Sequence, residues 1–160
     1  MSFGREDSLD ALREVARTHG IEFSIHRVAS GEEITAAIDS AQASGATALN
    51  IVQSPLFYAH RHPIMERAAA AHLPTIYDFP EVAEEGGFAA YGPRRSQLYS
   101  EIMAQQIVKI FRGTKVVDIP VEQATKFELV INLKTANAIG VTDTIAREGA
   151  GRLEAGCARR

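Results

Sequence analysis

The chain has 160 residues, of which 46% are hydrophobic and 23% charged, and its formal net charge is -3. This length favours one domain with its own core, and the charge gives no general attraction for nucleic acid, so no nucleic-acid partner is expected. The single cysteine, Cys157, excludes an intrachain disulfide. The sequence also lacks an apolar run of about twenty residues and an N-terminal secretory pattern, so on these features alone it is expected in the cytoplasm.

The first two-thirds of the sequence alternates predicted helices with short apolar strands. Apolar residues three and four positions apart predict a helix over residues 8–19, and strict alternation predicts a half-buried strand over 21–28. Ser30 and Glu33 have the spacing of a capping box, which predicts a second helix that ends at Gly45. This alternation is typical of a mostly parallel sheet with helices on both faces.

The stretch over residues 46–57, ATALNIVQSPLF, makes the clearest local statement about function. A buried-strand pattern to Val52 is followed by Ser54, which suits a helix N-cap, and by Pro55, which suits the first helical position because it has no N–H to donate. Open α/β folds bind ligands where strands end and helices begin, since unpaired amides and the helix dipole face the crevice. The stretch therefore predicts a ligand-binding corner.

A helix is predicted next over residues 56–72, and Pro63 inside it predicts a kink or a restart near His62. The remaining predicted elements are strands over 74–78, 88–91 and 127–132, a turn or brief helix over 79–87, a long helix over 94–111, an extended segment over 119–123 and a short helix over 133–139. The tail is rich in Arg, Glu, Gly and Ala, and it is predicted to be a weak helix or disordered.

Several clusters of polar side chains resemble metal or catalytic sites, but each has an ordinary structural explanation. His60 and His62 are two residues apart, which puts them on different faces of a helix, and Glu66 is the one further candidate ligand, so no metal site is predicted. The acidic residues over 81–85 favour a solvated loop over an acid/base pair. The sequence has no Gly-rich phosphate loop and no nucleophile elbow, so no cofactor and no enzymatic activity are predicted.

Two adjacent arginines open the predicted long helix. Arg94 and Arg95 either reach the acid group of a ligand or form an ordinary solvated pair. The sequence leaves both interpretations open.

Three phrases of the sequence point to one family: SPLFYAHR, LPTIYDFPEVAEEGGFAAYGP and PVEQATKFELVINLKTANAIG. Together they resemble the substrate-binding proteins of ABC transporters, in the group that includes binders of tryptophan, tyrosine and phenylalanine. The resemblance runs from about Leu9 to Gly140, and the last phrase is its most specific part. It implies a type I periplasmic-binding fold, in which two flavodoxin-like, three-layer α/β lobes joined by a hinge close on a small molecule.

The resemblance also implies a domain plan. Family members are longer and carry a secretion signal or anchor, and this chain resembles their C-terminal half, with one lobe over residues 1–143 and a tail over 144–160. In the family a strand precedes the first helix of that half, and residues 1–6 are too short and polar to supply it. Residues 87–113 pack on the other lobe in the family, so their apolar face predicts a homo-oligomer, with or without exchange of that helix between copies.

The resemblance places the ligand cleft at the carboxyl ends of the strands and at the hinge crossing. The amides after Ser54 would receive a carboxylate, Asp78 would receive an ammonium group, and aromatic rings would stack on the flat body of the ligand. Each aromatic residue is explained equally well by burial in a core. The implied ligand-binding residues are Gln53, Ser54, Phe57, Tyr77, Asp78 and Tyr91.

The functional hypothesis is a solute-binding component of an ABC transport system, which binds a small molecule such as an aromatic amino acid without chemistry and works with a permease. Two alternatives stay open: a stand-alone flavodoxin-like enzyme or regulator that uses the same strand ends, and a truncated remnant that binds little. The resemblance implies a periplasmic or cell-surface location, in contrast to the N-terminal sequence.

Overall fold

The structure is a computed structural model that describes residues 5–141. The predicted tail and Cys157 lie outside these residues. The helices are α1 (Arg5–Thr18), α2 (Glu33–Ala43), α3 (Pro55–Ala59), α4 (Arg61–Ala70), α5 (Pro80–Glu84), α6 (Ala104–Phe111) and α7 (Leu133–Ile139). The strands are β1 (Leu49–Ile51), β2 (Thr75–Tyr77), β3 (Ala89–Gly92) and β4 (Glu128–Ile131), and short turns of π-helix (Gln97–Met103) and 3₁₀-helix (Val116–Asp118) complete the described elements.

The strands form one sheet in the order β1-β2-β3-β4, in which β1, β2 and β3 are parallel and β4 is antiparallel to β3. Parallel neighbours require crossover connections, and helices supply them here. In the register of the sheet, Tyr77 of β2 lies opposite Ile51 of β1 and Ala90 of β3. The predicted α/β class with a mostly parallel sheet is confirmed.

The hydrophobic core lies on the face of the sheet that carries Tyr77 and Ala90. Ile34 and Ile38 of α2, Ile64 of α4 and other apolar residues of α4 and α5 pack there, together with the partly buried Leu49, Ile51 and Val130. The opposite face is less covered, since Asn50 is exposed and Ile76 is 39% exposed. Helix α1 packs only loosely on the rest of the described chain. The sheet is therefore buried mainly from one side.

The strand predicted over residues 21–28 is wrong. The segment has no helical or strand structure, although Phe23 and Ile25 are half-buried while Glu22 and Ser24 are exposed, as the alternation predicts. A strand needs a neighbour with which to exchange backbone hydrogen bonds, and β1, at the edge of the sheet, pairs with β2 alone among the described strands. Alternation in the sequence reports one-sided burial, which does not by itself supply that neighbour.

The helix starts differ in how well the sequence predicts them. Ser54 caps α3 as predicted, with Pro55 in the first helical position. The capping box predicted for α2 is wrong: the cap residue is Glu32, Ser30 makes no capping hydrogen bond, and the Glu33 carboxylate accepts the backbone N–H of Ala29 at 2.9 Å instead of that of Ser30. Its hydroxyl is therefore not needed to start the helix.

The long helix predicted over residues 56–72 restarts rather than kinks. Helix α3 ends at Ala59 and α4 begins at Arg61, with Pro63 in the first turn of α4, where its missing N–H costs no hydrogen bond. The ring of His60, at the junction, packs against Gly31, where a β-carbon would overlap it. The junction separates α3, whose residues line the cleft, from α4, whose apolar residues pack in the core.

Polar contacts tie the C-terminal elements to the sheet. Arg94 binds Glu84 of α5 at 2.8 Å and Glu128 of β4 at 2.9 Å. These two carboxylates, first Glu84 and then Glu128, raise the pKa of the Arg94 guanidinium, so the charge persists at every physiological pH. Asn132 caps α7 by accepting the backbone N–H of Thr135 at 3.1 Å.

None of the helices over residues 5–141 is long and apolar enough to cross a membrane.

Gly92, the last residue of β3, is the position at which we expect a small substitution to be most disruptive. It is buried, and a β-carbon there would overlap the backbone carbonyl oxygen of Asp78. We expect Gly92→Ala to lower the free energy of unfolding by about 1–3 kcal/mol, because backbone must move to relieve the overlap. Urea denaturation measures this loss, and an unchanged midpoint would contradict the close approach.

Candidate functional site

A cleft opens where β1 and β2 end and α3 and α5 begin. It is shallow and open to solvent: its volume is about 30 Å³, far below the roughly 300–1,000 Å³ of ligand pockets that enclose their ligand. Its position matches the crevice at the carboxyl ends of parallel strands, where α/β folds bind ligands. The residues that line it are Ile51, Val52, Gln53, Ser54, Phe57, Tyr58, Arg61, Tyr77, Asp78, Phe79 and Val82.

The cleft brings together every ligand-binding residue implied from the sequence except Tyr91. Tyr91 lies outside the cleft: it is 57% exposed, and its ring packs on Phe127 at a centroid distance of 5.8 Å. The physical reason is the alternation of side chains along β3, which buries Ala90 and Gly92 and turns Tyr91 away from the core. The ligand-binding role of the residues that do line the cleft stays a prediction.

Ser54 already uses the backbone amides that the resemblance assigned to a ligand carboxylate. Its hydroxyl oxygen accepts the backbone N–H groups of Leu56 at 3.1 Å and Phe57 at 3.4 Å. Pro55 has no N–H, and the N–H of Tyr58 bonds to the Ser54 carbonyl at 2.9 Å. The first-turn amides that were expected to receive a ligand carboxylate are therefore already used. A ligand carboxylate in this cleft would have to bind a different group.

Sequence reasoning missed two aromatic residues that line the cleft, Tyr58 and Phe79. Their rings meet edge to face, with centroids 6.3 Å apart and an interplanar angle of 88°. A signal for Tyr58 was present in the sequence: Ser54, Phe57, Tyr58 and Arg61 follow the helical spacing of three and four that puts residues on one face. Phe79 follows Asp78 directly but carries no such pattern.

Two guanidinium groups flank the ring of Tyr58. That of Arg61 lies 4.5 Å from the ring centroid and that of Arg95 lies 3.8 Å from it, both within the range of cation–π attraction. Arg61 is also paired with the carboxylate of Glu85 and donates to the backbone carbonyl of Tyr58 at 3.1 Å. Glu85 is the main reason that the pKa of Arg61 is raised.

The two polar side chains at the carboxyl end of β2, those of Tyr77 and Asp78, are both partly desolvated. The hydroxyl of Tyr77 is buried and has no partner at normal hydrogen-bond distance and angle among the described residues. Burial raises its pKa, and a weaker interaction with the side chain of Thr75 lowers it by a smaller amount. Burial also raises the pKa of the Asp78 carboxyl, and a backbone hydrogen bond from Gln53 lowers it by a smaller amount. Unsatisfied or desolvated polar groups of this kind are typical of binding sites, where a ligand supplies the missing partner.

The histidines near the cleft do not converge on a common point. The Nδ1 atom of His60 lies 2.9 Å from the carbonyl oxygen of Leu56, which assigns its ring a local hydrogen bond. His62 faces Glu85, with 3.7 Å between the Nε2 atom and the carboxylate. Over residues 5–141 there is no group of three His, Cys, Asp or Glu side chains arranged to hold a metal ion.

Solved structures define the class of fold to which this lobe belongs. The chain is similar to an ABC domain from Streptococcus pneumoniae in complex with L-Trp (TM-score 0.76, 19% identity) and to a conserved domain protein from Vibrio cholerae (TM-score 0.77, 19% identity). It is also similar to a ligand-free, open substrate-binding protein from Clostridium difficile, CD0873, with a TM-score of 0.60 and 22% identity. These matches cover 87–89% of this chain but only 46–48% of the other chains.

The family follows from the sequence match. The family model for ABC transporter substrate binding proteins matches residues 5–147, which is most of the chain. The chain therefore belongs to the ABC transporter substrate-binding protein family, and the resemblance noted from the sequence is confirmed. It spans just under half the length of the solved structures that it matches. No curated protein matches the chain.

Asp78 provides a pH-dependent test of the cleft. Because burial raises its pKa above the ordinary value of 3.8, the folded state holds this proton more tightly than the unfolded state. Ionisation of Asp78 therefore lowers the free energy of unfolding. This loss appears as the pH rises from the ordinary pKa of the carboxyl through its raised pKa. Asp78→Asn cannot ionise, so we expect it to unfold at a higher temperature than the wild type at neutral pH and at a similar temperature at low pH.

Thermal unfolding across this pH range measures the difference. Asp118→Asn is the matched control, because Asp118 is exposed and the same substitution removes no buried carboxylate there. An Asp78→Asn variant that is less stable than the wild type at neutral pH would show that the carboxylate is needed by the fold rather than held at a cost for a ligand.

Proposed function

We propose that this chain forms one wall of the binding site of an ABC transport receptor and binds an α-amino acid with an aromatic side chain, without chemistry. The proposal rests on one observation: the cleft at the strand ends combines aromatic walls with a half-buried carboxylate, Asp78, and a buried hydroxyl that lacks a partner, on Tyr77. Membership of the substrate-binding family supports it. So does the similar lobe from Streptococcus pneumoniae, which was solved in complex with L-Trp.

Each group of the cleft has a role in this proposal. Asp78 binds the ammonium group of the ligand, since a desolvated carboxylate regains its lost solvation from a cation. The rings of Phe57 and Phe79 contact the flat side chain of the ligand, and Tyr58, whose ring is flanked by Arg61 and Arg95, contributes its edge. The Tyr77 hydroxyl donates or accepts the hydrogen bond that it lacks in the ligand-free cleft.

The same proposal gives the location and the partners. A receptor of this family works in the periplasm or at the cell surface and delivers its ligand to an ABC permease. The cleft of this lobe is shallow and partly open, so tight binding also requires a facing surface that excludes water from the ligand. A second protein surface opposite the cleft is therefore part of the proposed function.

The helix over residues 97–111 is a second part of the chain that needs a covering protein surface. It buries none of its residues fully. One stripe of apolar side chains stands about half exposed, and natural monomers rarely leave stripes of this size uncovered. We infer that another copy of the chain covers it, with or without exchange of the helix. The stripe is formed by Tyr99, Met103, Ile107 and Ile110, with Phe111 at its end 86% exposed.

The first prediction from this proposal concerns ligand binding. The chain contains no tryptophan, so the fluorescence anisotropy of added L-tryptophan reports its binding without interference from protein indole. We expect anisotropy to rise with protein concentration. Tyr77→Phe should bind L-tryptophan roughly two- to tenfold more weakly while unfolding at a similar temperature, because the hydroxyl that it removes is buried and interacts only weakly with Thr75.

Tyr91→Phe is the matched control, since it removes the same atom from a ring outside the cleft. We expect its affinity to equal that of the wild type. A flat response of the wild type to L-tryptophan and to the other aromatic amino acids would count against the proposal. Equal weakening by the two substitutions would place the ligand elsewhere.

The second prediction concerns assembly. We expect sedimentation velocity to show a dimer or a larger oligomer, and Ile107→Glu to shift it toward the monomer, because a charge in the centre of the apolar stripe opposes its burial. Gln105→Glu adds the same charge at an exposed polar position of the same helix and should leave the oligomer intact. A wild-type chain that sediments as a monomer at every concentration would contradict the inference.

A further inference from the structure

Arg94 and Arg95 are adjacent in the sequence but have different electrostatic surroundings. The guanidinium of Arg94 is held between the carboxylates of Glu84 and Glu128. Arg95 has no such partner: no carboxylate among the described side chains, residues 9–141, pairs with its guanidinium, and Glu81 binds its backbone N–H, at 2.9 Å, rather than its side chain. The structure therefore separates the two interpretations that the sequence left open for this pair.

The guanidinium of Arg95 does not line the cleft itself but contacts two aromatic rings that do. It is 3.8 Å from the ring centroid of Tyr58 and 5.7 Å from that of Phe79, and both rings line the cleft. Its third aromatic neighbour is Tyr99, at 5.3 Å. A guanidinium that lies against aromatic faces keeps its N–H donors free in its own plane, where they match the two oxygens of a carboxylate.

The other groups of the cleft that could receive an anion are already engaged. Ser54 caps the amides of Leu56 and Phe57, and Arg61 is paired with Glu85. Arg95, which contacts the lining rings of Tyr58 and Phe79, is therefore a neighbouring cation without a carboxylate partner among the described side chains. Together with Asp78, it gives the cleft one free positive and one partly desolvated negative group.

We propose that Arg95 is the residue that binds the carboxylate of the ligand and selects amino acids with a free α-carboxylate. This inference rests on the proposed function and replaces the helix amides in the role that they cannot fill. The ligand would then be bound as a zwitterion, with its ammonium group at Asp78 and its carboxylate at Arg95. Both groups are attached to the same carbon, so the flat side chain extends from it toward the aromatic rings that line the cleft.

The test compares two probes, L-tryptophan and L-tryptophanamide, whose difference is the free carboxylate. Indole anisotropy measures both affinities for the full chain. We expect the wild type to prefer L-tryptophan, and Arg95→Gln to bind it at least about tenfold more weakly while its affinity for L-tryptophanamide changes by less than about twofold. The ratio of the two affinities removes any common effect of a displaced Tyr58 ring.

Two further variants make the comparison specific. Arg112→Gln removes the same charge from an exposed position at the end of α6, and we expect it to keep the wild-type ratio. Arg95→Lys keeps the charge but loses the planar pair of donors, and we expect an intermediate ratio. If Arg95→Gln fails to fold, Arg95→Lys and the wild-type ratio still carry the test.

The outcomes separate this inference from the proposed function. A wild type that binds L-tryptophan no better than L-tryptophanamide, or an Arg95→Gln variant that keeps the wild-type preference, overturns the role of Arg95 while the binding function stands. A wild type that binds neither probe overturns the proposed function and, with it, the assignment of Arg95.

Discussion

The register of β2 is the constraint on which the rest of the structure depends. This strand is paired on both sides, and its side chains alternate so that Thr75 and Tyr77 are buried while Ile76 faces the less covered side of the sheet. A shift of one residue would exchange these faces, remove Tyr77 from the core and turn Asp78 away from the cleft. Gly92 fixes the position further, because its backbone lies against the carbonyl of Asp78.

Much of this arrangement could be predicted from the sequence because it is encoded locally. Ser54 and Pro55 mark a helix start by chemistry that involves neighbouring residues only, and the structure has both in the predicted positions. The family phrases located the strand ends and five of the eleven residues that line the cleft. What could not be predicted depends on contacts between distant segments. The segment over 21–28 has strand periodicity but no partner strand among the described residues. The face of the sheet on which each side chain of β3 lies depends on its pairing with β2 and β4.

Electrostatic roles were the least predictable part of the site for the same reason. In the sequence, Arg94 and Arg95 are equivalent, and nothing in their spacing separates them. Glu128 is distant in sequence from Arg94 but neighbours it across the sheet, and this contact commits Arg94 to the fold. Arg95, one residue later, points toward Tyr58. A charge becomes available for a ligand only when the surrounding fold leaves it without a partner, and that depends on tertiary structure.

The π-helical turn at Gln97–Met103 has a geometric consequence for the surface of the protein. A π-turn holds one more residue than the α-helical turn that it replaces, so the residues after it are rotated by about 100° relative to an uninterrupted α-helix. Arg95 lies before this turn, and Ile107 and Ile110 lie after it. A single-residue deletion in the turn would therefore redirect the apolar stripe around the helix axis while the rim of the cleft kept its orientation.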